Sequence, residues 1–166
     1  MKYIILLLFS LLVVGCGKKA VDIESLTERD GLLYELDKAV PYSGPAKKVF
    51  TSGDTQASGE LKGGRLHGLW TKWHENGQKA AEESYKDGKK HGMHRNWFKN
   101  GVKEREVIFM EGELDGTATI WREDGSKEME SIHKYGKKVS AKYWNSKGDE
   151  ISVHEWAAEQ TGLIMS

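Results

Sequence analysis

The chain has 166 residues, enough for one domain, and carries 25 basic against 25 acidic side chains, a balance that excludes a strong preference for nucleic acid or another highly charged partner. Its 19 glycines come with only 2 prolines, which suits tight hairpins and excludes a flexible Pro-rich chain. A single cysteine, Cys16, excludes an intrachain disulfide.

Residues 1–15 read as a secretion signal. Lys2 gives a short positive start, and Ile4 to Val14 is an apolar run of 11 residues closed by Val13-Val14-Gly15-Cys16. As a helix that run spans about 16 Å against a bilayer core of about 30 Å, too short for a permanent transmembrane segment. Residues 16–25, from Cys16 onward, are expected to be a short tether.

From residue 26 the chain is predicted to open a sheet, with strands at Gly31 to Leu36 and Tyr42 to Phe50 joined across Asp37-Lys38. Pro41 is acceptable at a strand start or edge.

A 24-residue period then takes over. Gly44, Gly68, Gly92 and Gly116 fall 24 apart, as do Gly53, Gly77, Gly101 and Gly125, and also Gly64, Gly88, Gly112 and Gly136. Such a step marks a repeat architecture. Ser52-Gly53, Asn76-Gly77, Asn100-Gly101, Asp124-Gly125 and Lys147-Gly148 supply one turn of each copy, and Asp87-Gly88, Glu111-Gly112 and Tyr135-Gly136 the other. These pairs provide the positive φ that tight hairpins need. Three glycines per copy would cost about 1 kcal/mol each inside a helix, so each copy reads as two strands. The expected fold is all-β, an extended antiparallel β-meander of about ten strands covering residues 26–156.

Trp73, Trp97 and Trp121 keep the 24-residue step, and Trp144 follows one residue early, which indicates a deletion near Val139. Leu61, Tyr85, Phe109, His133 and Trp156 occupy a second repeat position. Large rings at equivalent positions, two strands and roughly 9.6 Å apart, are expected to form a packed ladder with Trp97 as its best-buried member. A two-residue turn at Asn76-Gly77 would put Trp73 and Tyr85 on opposite faces. A three-residue turn ending in a Gly77 bulge, the favoured form, would put them on one face. For Trp70, Phe98 and Tyr143 two readings stand: an exposed partner surface opposite the Trp73 series, or a second packed face.

The last segment, Ile151 to Gln160, reads as a strand passing into a short helix, with residues 157–166 as a C-terminal cap or tail. His154 to Gln160 favours helix, and Gly162 stops it.

The head dipeptides His67-Gly68 and His91-Gly92, the central Trp73 and Trp97, the Asn-Gly turns and Asp87-Gly88-Lys89 together resemble the MORN repeat variants of bacteria, including antitoxins of the YwqK type. Asp30-Gly31-Leu32-Leu33-Tyr34 and Pro41-Tyr42-Ser43-Gly44 look like the opening repeat of that family. The resemblance covers roughly residues 26–156 and is specific for architecture more than for activity. Val13 to Cys16 is similar to the lipobox of bacterial lipoproteins, which implies lipidation of Cys16. Gly17 lacks the acidic signal by which similar lipoproteins stay at an inner membrane, which favours the outer membrane where two are present.

The remaining chemistry is expected to be structural. His67 and His91 lie too far apart for one ion bound at about 2.0–2.1 Å per ligand, and His91 and His94 point to opposite faces, so the histidines are assigned to turns and surface and no metal or cofactor is expected. Glu82, Glu106 and Glu130 recur as a solvated face. No nucleophile elbow, phosphate loop or His-Glu-x-x-His occurs, so no catalytic residues, enzyme activity or small-molecule substrate are expected. The sequence therefore points to an exported, lipid-anchored, non-enzymatic protein-binding module of the envelope, antitoxin-like, with a protein partner and no nucleic acid. The competing reading is a self-associating envelope scaffold.

Overall fold

The structure, a computed structural model, describes residues 18–161. The expected signal peptide, Cys16, Gly17 and the end of the tail lie outside the described residues.

The chain forms β1 (Val21–Asp22), a 3-10 turn (Ile23–Ser25), β2 (Thr27–Arg29), β3 (Leu32–Tyr34), β4 (Gly44–Val49), β5 (Thr55–Lys62), β6 (Arg65–Trp73), β7 (Lys79–Lys86), β8 (Lys89–Trp97), β9 (Lys103–Met110), β10 (Glu113–Trp121), β11 (Lys127–Lys134), β12 (Lys137–Trp144), β13 (Glu150–Ile151) and α1 (Val153–Thr161). Strands β4 to β13 pair in chain order as an antiparallel meander, and β1 adds a parallel edge to give an 11-stranded sheet.

The beginning departs from expectation in two ways. Residues 32–34 pair with β2 in a separate hairpin and do not join β4. Residues 21–25, expected within a tether, form β1 and the 3-10 turn; Val21 and Ile23 pack with Leu26 and Leu33 against Tyr42, Ala46, Ala57, Leu61 and Trp70. Apolar side chains at 21, 23 and 26 gain more by covering the first repeat than by remaining in water.

Two turn geometries alternate along the meander. At Asp87-Gly88 both residues have positive φ, 51° and 84°, and Lys86 pairs with Lys89, the arrangement of a two-residue type I′ turn. The other turn is longer. The Gly77 N–H donates to the His74 carbonyl at 2.9 Å, the His74 N–H donates to the Gln78 carbonyl at 2.8 Å, and Gly77 has φ 80°. This is the three-residue turn with a glycine bulge. Its Asn76 side chain accepts from the Gln78 N–H at 3.1 Å and donates to the Lys99 carbonyl of the next turn at 2.8 Å. Asn100 repeats both bonds, accepting from the Val102 N–H at 2.9 Å and donating to the Glu123 carbonyl at 2.9 Å, so the turns are linked along the array.

The turn alone does not fix the faces. Trp73 pairs with Lys79, but Lys72 pairs with Ala81, so Ala80 is an extra residue on β7. That second shift reverses the parity again, and Trp73 points away from the face that carries Trp70 and Tyr85. The expectation that the two series share a face is corrected by this bulge.

The covered face is built around one row running across the strands: Ala46, Gly59, Trp70, Glu83, His94, Val107, Ala118, Ser131 and Ala141. Trp70 is 4% exposed and His94 2%, whereas Trp97 is only half-buried. The expected core ladder of Trp73, Trp97, Trp121 and Trp144 is therefore not the core. Volumes in the true core row are complementary: a Cβ on Gly59 would lie 2.5 Å from the Trp70 ring, so only glycine leaves the indole its place. The Trp70 Nε1–H donates to the Glu60 carbonyl at 3.0 Å, and 24 residues later the His94 Nε2–H donates to the Ser84 carbonyl at 2.7 Å. Two backbone carbonyls at equivalent repeat positions thus satisfy two different rings.

His94 stands edge-on between Tyr85, at 5.6 Å, and Phe109, at 4.7 Å. Burial is the main cause that holds its imidazole below the ordinary histidine value. This corrects the assignment of all histidines to turns and surface. At the far end Trp156 sits in α1, not on a strand, and its ring lies 4.9 Å from Tyr143. The Glu155 carboxylate accepts from the Ser152 N–H at 2.8 Å and the Ser152 hydroxyl accepts from the Glu155 N–H at 3.3 Å, a reciprocal cap that starts the helix.

Candidate functional site

Both terminal segments lie on the covered face, through Ile23 at one end and Trp156 at the other. The opposite, open face presents three parallel rows.

The first row holds the repeated indoles. A lysine ammonium stands over three of them: Lys79 over Trp97 at 5.4 Å, Lys103 over Trp121 at 5.0 Å and Lys127 over Trp144 at 5.0 Å. The indole face carries the negative lobe of its quadrupole, which attracts the ammonium. Each lysine is also tied to the glutamate three residues on, at 2.5 Å for Glu82, 3.1 Å for Glu106 and 2.8 Å for Glu130. The extra residue in each strand makes this reach available, because it places residues 79 and 82 on one face.

The second row consists of the cross-strand neighbours Thr71, Glu82, Arg95, Glu106, Thr119, Glu130 and Lys142. Arg95 bridges two carboxylates, with Nε 2.8 Å from Glu106 and Nη1 3.5 Å from Glu82. The Arg95 hydrogen bond, reinforced by Lys103, holds the Glu106 carboxyl below its ordinary value despite some desolvation. The recurring glutamates thus belong to a charge network and are not simply solvated.

The third row mixes apolar and small polar side chains, with Leu69 paired to Ser84, Met93 to Ile108 and Ile132 to Thr117. Leu69 is 53% exposed, Met93 37% and Ile132 50%, with Ile108 between them. Rows of this kind, with apolar groups beside charged ones and aromatic beside cationic, give a surface with both contact area and directional groups.

The three residues weighed as a partner surface separate. Trp70 and Tyr143 are buried on the covered face, which withdraws both from external contact. Phe98 is half-buried at a turn, where its carbonyl accepts from the Gly101 N–H at 2.9 Å. His67 and His91 approach carboxylates, Asp87 at 3.5 Å and Glu111 at 3.4 Å. Among the described residues, no three His, Cys, Asp or Glu side chains converge to hold a metal ion.

On the covered face, Glu83 accepts from Lys72 at 2.7 Å and from the Tyr85 hydroxyl at 2.8 Å. Burial works to raise the Glu83 carboxyl, but these two bonds and the charges of Lys72 and Lys90 outweigh it and hold it low. Burial, then the bond and charge of Glu83, push the Tyr85 phenol well up. Each group is engaged by its neighbours, and the cluster locks Tyr85 beside Trp70.

The lysine lids were missed at the level of sequence, although a signal existed: Lys79, Lys103 and Lys127 keep the 24-residue step, each three residues before a recurring glutamate. No curated protein matches the chain. Residues 66–87, which run from the start of β6 through β7 into the type I′ turn, match the family model described as a MORN repeat variant.

Proposed function

We propose that the chain is a lipid-anchored, non-enzymatic protein-binding module of the bacterial envelope. MORN repeats are in general protein- or membrane-binding modules, which supplies the coarse reading. The observation that carries the finer one is the open face, where exposed Leu69, Met93 and Ile132 lie beside an ion-pair row that crosses consecutive strands, while both terminal segments cover the other side. The lipobox-like Val13 to Cys16 supports the anchor, since a diacylglyceryl group provides the two chains that stable attachment needs. An antitoxin role in an exported chain is immunity against a toxin met in the envelope. The scaffold alternative has weaker support, because the sheet is bordered by the two-residue strands β1 and β13, and short edge strands are poor templates for pairing between molecules.

The test uses the chain from Gly17 onward, which keeps every described residue, immobilised against envelope extracts. A single heterologous protein is expected to be retained and to be lost when Leu69→Glu and Met93→Glu are introduced together. Retention unaffected by that pair, or concentration-dependent self-association with no heterologous protein, would overturn the reading. Fatty-acid labelling checks the anchor separately: Cys16→Ser should abolish incorporation and leave the sheet intact, and equal labelling of the variant would remove Cys16 from the account.

A further inference from the structure

Trp73 is the exception in the indole row. Twenty-four residues before Lys79 stands Thr55, and 24 before Glu82 stands Ser58, so the first repeat lacks both the lysine lid and the glutamate that holds it. Among the described residues, no Lys or Arg lies over the Trp73 ring. The ring instead lines a cleft of about 380 Å³ with Phe50, Asp54, Thr55, His74 and Glu75.

Two carboxylates line that cleft and no Lys or Arg does. Asp54 Oδ2 accepts from the Ser52 hydroxyl at 2.9 Å, which leaves acceptor capacity on a group that can only accept when ionised. The His74 Nε2–H is committed to the Trp97 carbonyl at 2.8 Å, so that ring is fixed as part of the wall.

We infer that the Trp73 cleft is a seat for a lysine side chain from a basic segment of a partner protein. The chain itself displays the chemistry: wherever the indole recurs, an ammonium stands 5.0 to 5.4 Å from its centroid, inside the roughly 6 Å range of a cation–π contact. In the first repeat the lid residue is too short to reach, and Asp54 and Glu75 offer the negative charge that Glu82, Glu106 and Glu130 provide elsewhere. The seat lies on the open face and at its turn edge, so a partner lying along the rows would place one lysine there. This deepens the binding-module reading and names the partner's chemistry.

The experiment follows the indole N–H resonances of the chain from Gly17 onward while a capped Gly-Lys-Gly peptide is titrated, with the ε-acetyl-lysine peptide as the neutral control. The Trp73 resonance, assigned from Trp73→Phe, should shift and saturate on the order of millimolar peptide, while the lidded Trp97, Trp121 and Trp144 stay in place. Restoring the internal lid with Thr55→Lys and Ser58→Glu should weaken the peptide about tenfold or more without loss of fold, since both changes copy a pair the later repeats already accommodate. Equal shifts at all four indoles, an equally effective acetylated peptide, or undiminished binding by the lidded variant would each overturn the seat. So would a response to phosphatidylethanolamine vesicles with none to the peptide, which would assign the seat to a lipid ammonium. The two readings fail separately. Peptide binding with no partner captured leaves the seat and removes the envelope partner. A captured partner held equally well by the lidded variant leaves the module and removes the seat.

Discussion

The positions Trp70, His94 and Ala118 on one face, and Trp73, Trp97 and Trp121 on the other, lie three residues apart in every repeat and behave in opposite ways. The first series changes identity at each step yet is buried, whereas the second keeps its tryptophan yet is only half-buried. The core position is free to vary because its neighbours vary with it. Gly59 gives up its side chain to admit the Trp70 indole, and Val107 stands beside the smaller Ala118. At Trp97, Trp121 and Trp144 the surface position is stabilised by a local unit of indole, lysine and glutamate that is copied with it, and at Trp73 the indole is kept without the other two. Repetition of a residue therefore does not mark burial, which has to be established independently.

The sharpest way to break this comparison is to truncate one ring from each series. Trp70→Ala should cost about 3–5 kcal/mol, the range for aromatic truncation in a core. Trp97→Ala should cost about 1–2 kcal/mol, from partial loss of apolar burial and of an exposed cation–π contact. Urea unfolding midpoints of the two variants should fall in that order. A Trp97→Ala variant as unstable as Trp70→Ala would return the repeated indoles to the core.

Turn geometry gives the next largest effect. Gly101 has φ 84°, and a Cβ there would also meet the Gln78 side chain at 2.8 Å. Gly101→Val should cost about 1–3 kcal/mol through backbone strain while both aromatic series remain present. Near-ultraviolet circular dichroism retaining the parent signal below the lowered melting point would show that rings and turn contribute separately. Complete loss of that signal in the native baseline would show that they do not.

A smaller effect is expected from the lid. Lys103→Met keeps a flexible apolar stem over Trp121 but removes its charge, and the loss should be about 0.5–1 kcal/mol. Because the pair is surface-exposed, the difference from the parent should shrink in high salt. A difference that does not change with salt would mean that the stem, and not the ammonium, stabilises the indole.

The least visible effect is confined to acid. The His94 pKa is lowered in the folded chain, chiefly by burial, so the unfolded chain binds the proton first. The stability that the neutral ring contributes is complete above the unfolded value of about 6.5 and is lost as pH falls below it toward the folded value. Glu106 and Glu83, also held low, contribute a separate loss at lower pH, as the solution passes below ordinary carboxylate values. His94→Gln, which retains an N–H donor toward Ser84, should remove the first of these two steps and keep the second. Parallel stability curves for parent and variant from neutrality down to about pH 5 would exclude His94 as the origin of the first step.

The sequence by itself determined the hairpins, their number within the repeated region and their order. The required positive φ at Gly77, Gly88 and their counterparts is a local steric demand that glycine meets wherever it occurs, so spacing alone located the turns. The helical tendency of residues 154–160 was likewise local and was realised in α1. The facing of the side chains was different in kind. It depends on the parity of the register, and Ala80, one extra residue past the turn, sends Trp73 to the open face and leaves Trp70 to be covered. Nothing in the composition of Lys79-Ala80-Ala81 marks that bulge. The return of Val21 and Ile23 onto the first repeat, and the reach of each lysine to the indole on the next strand, are contacts between elements, and only the assembled sheet brings their partners within range.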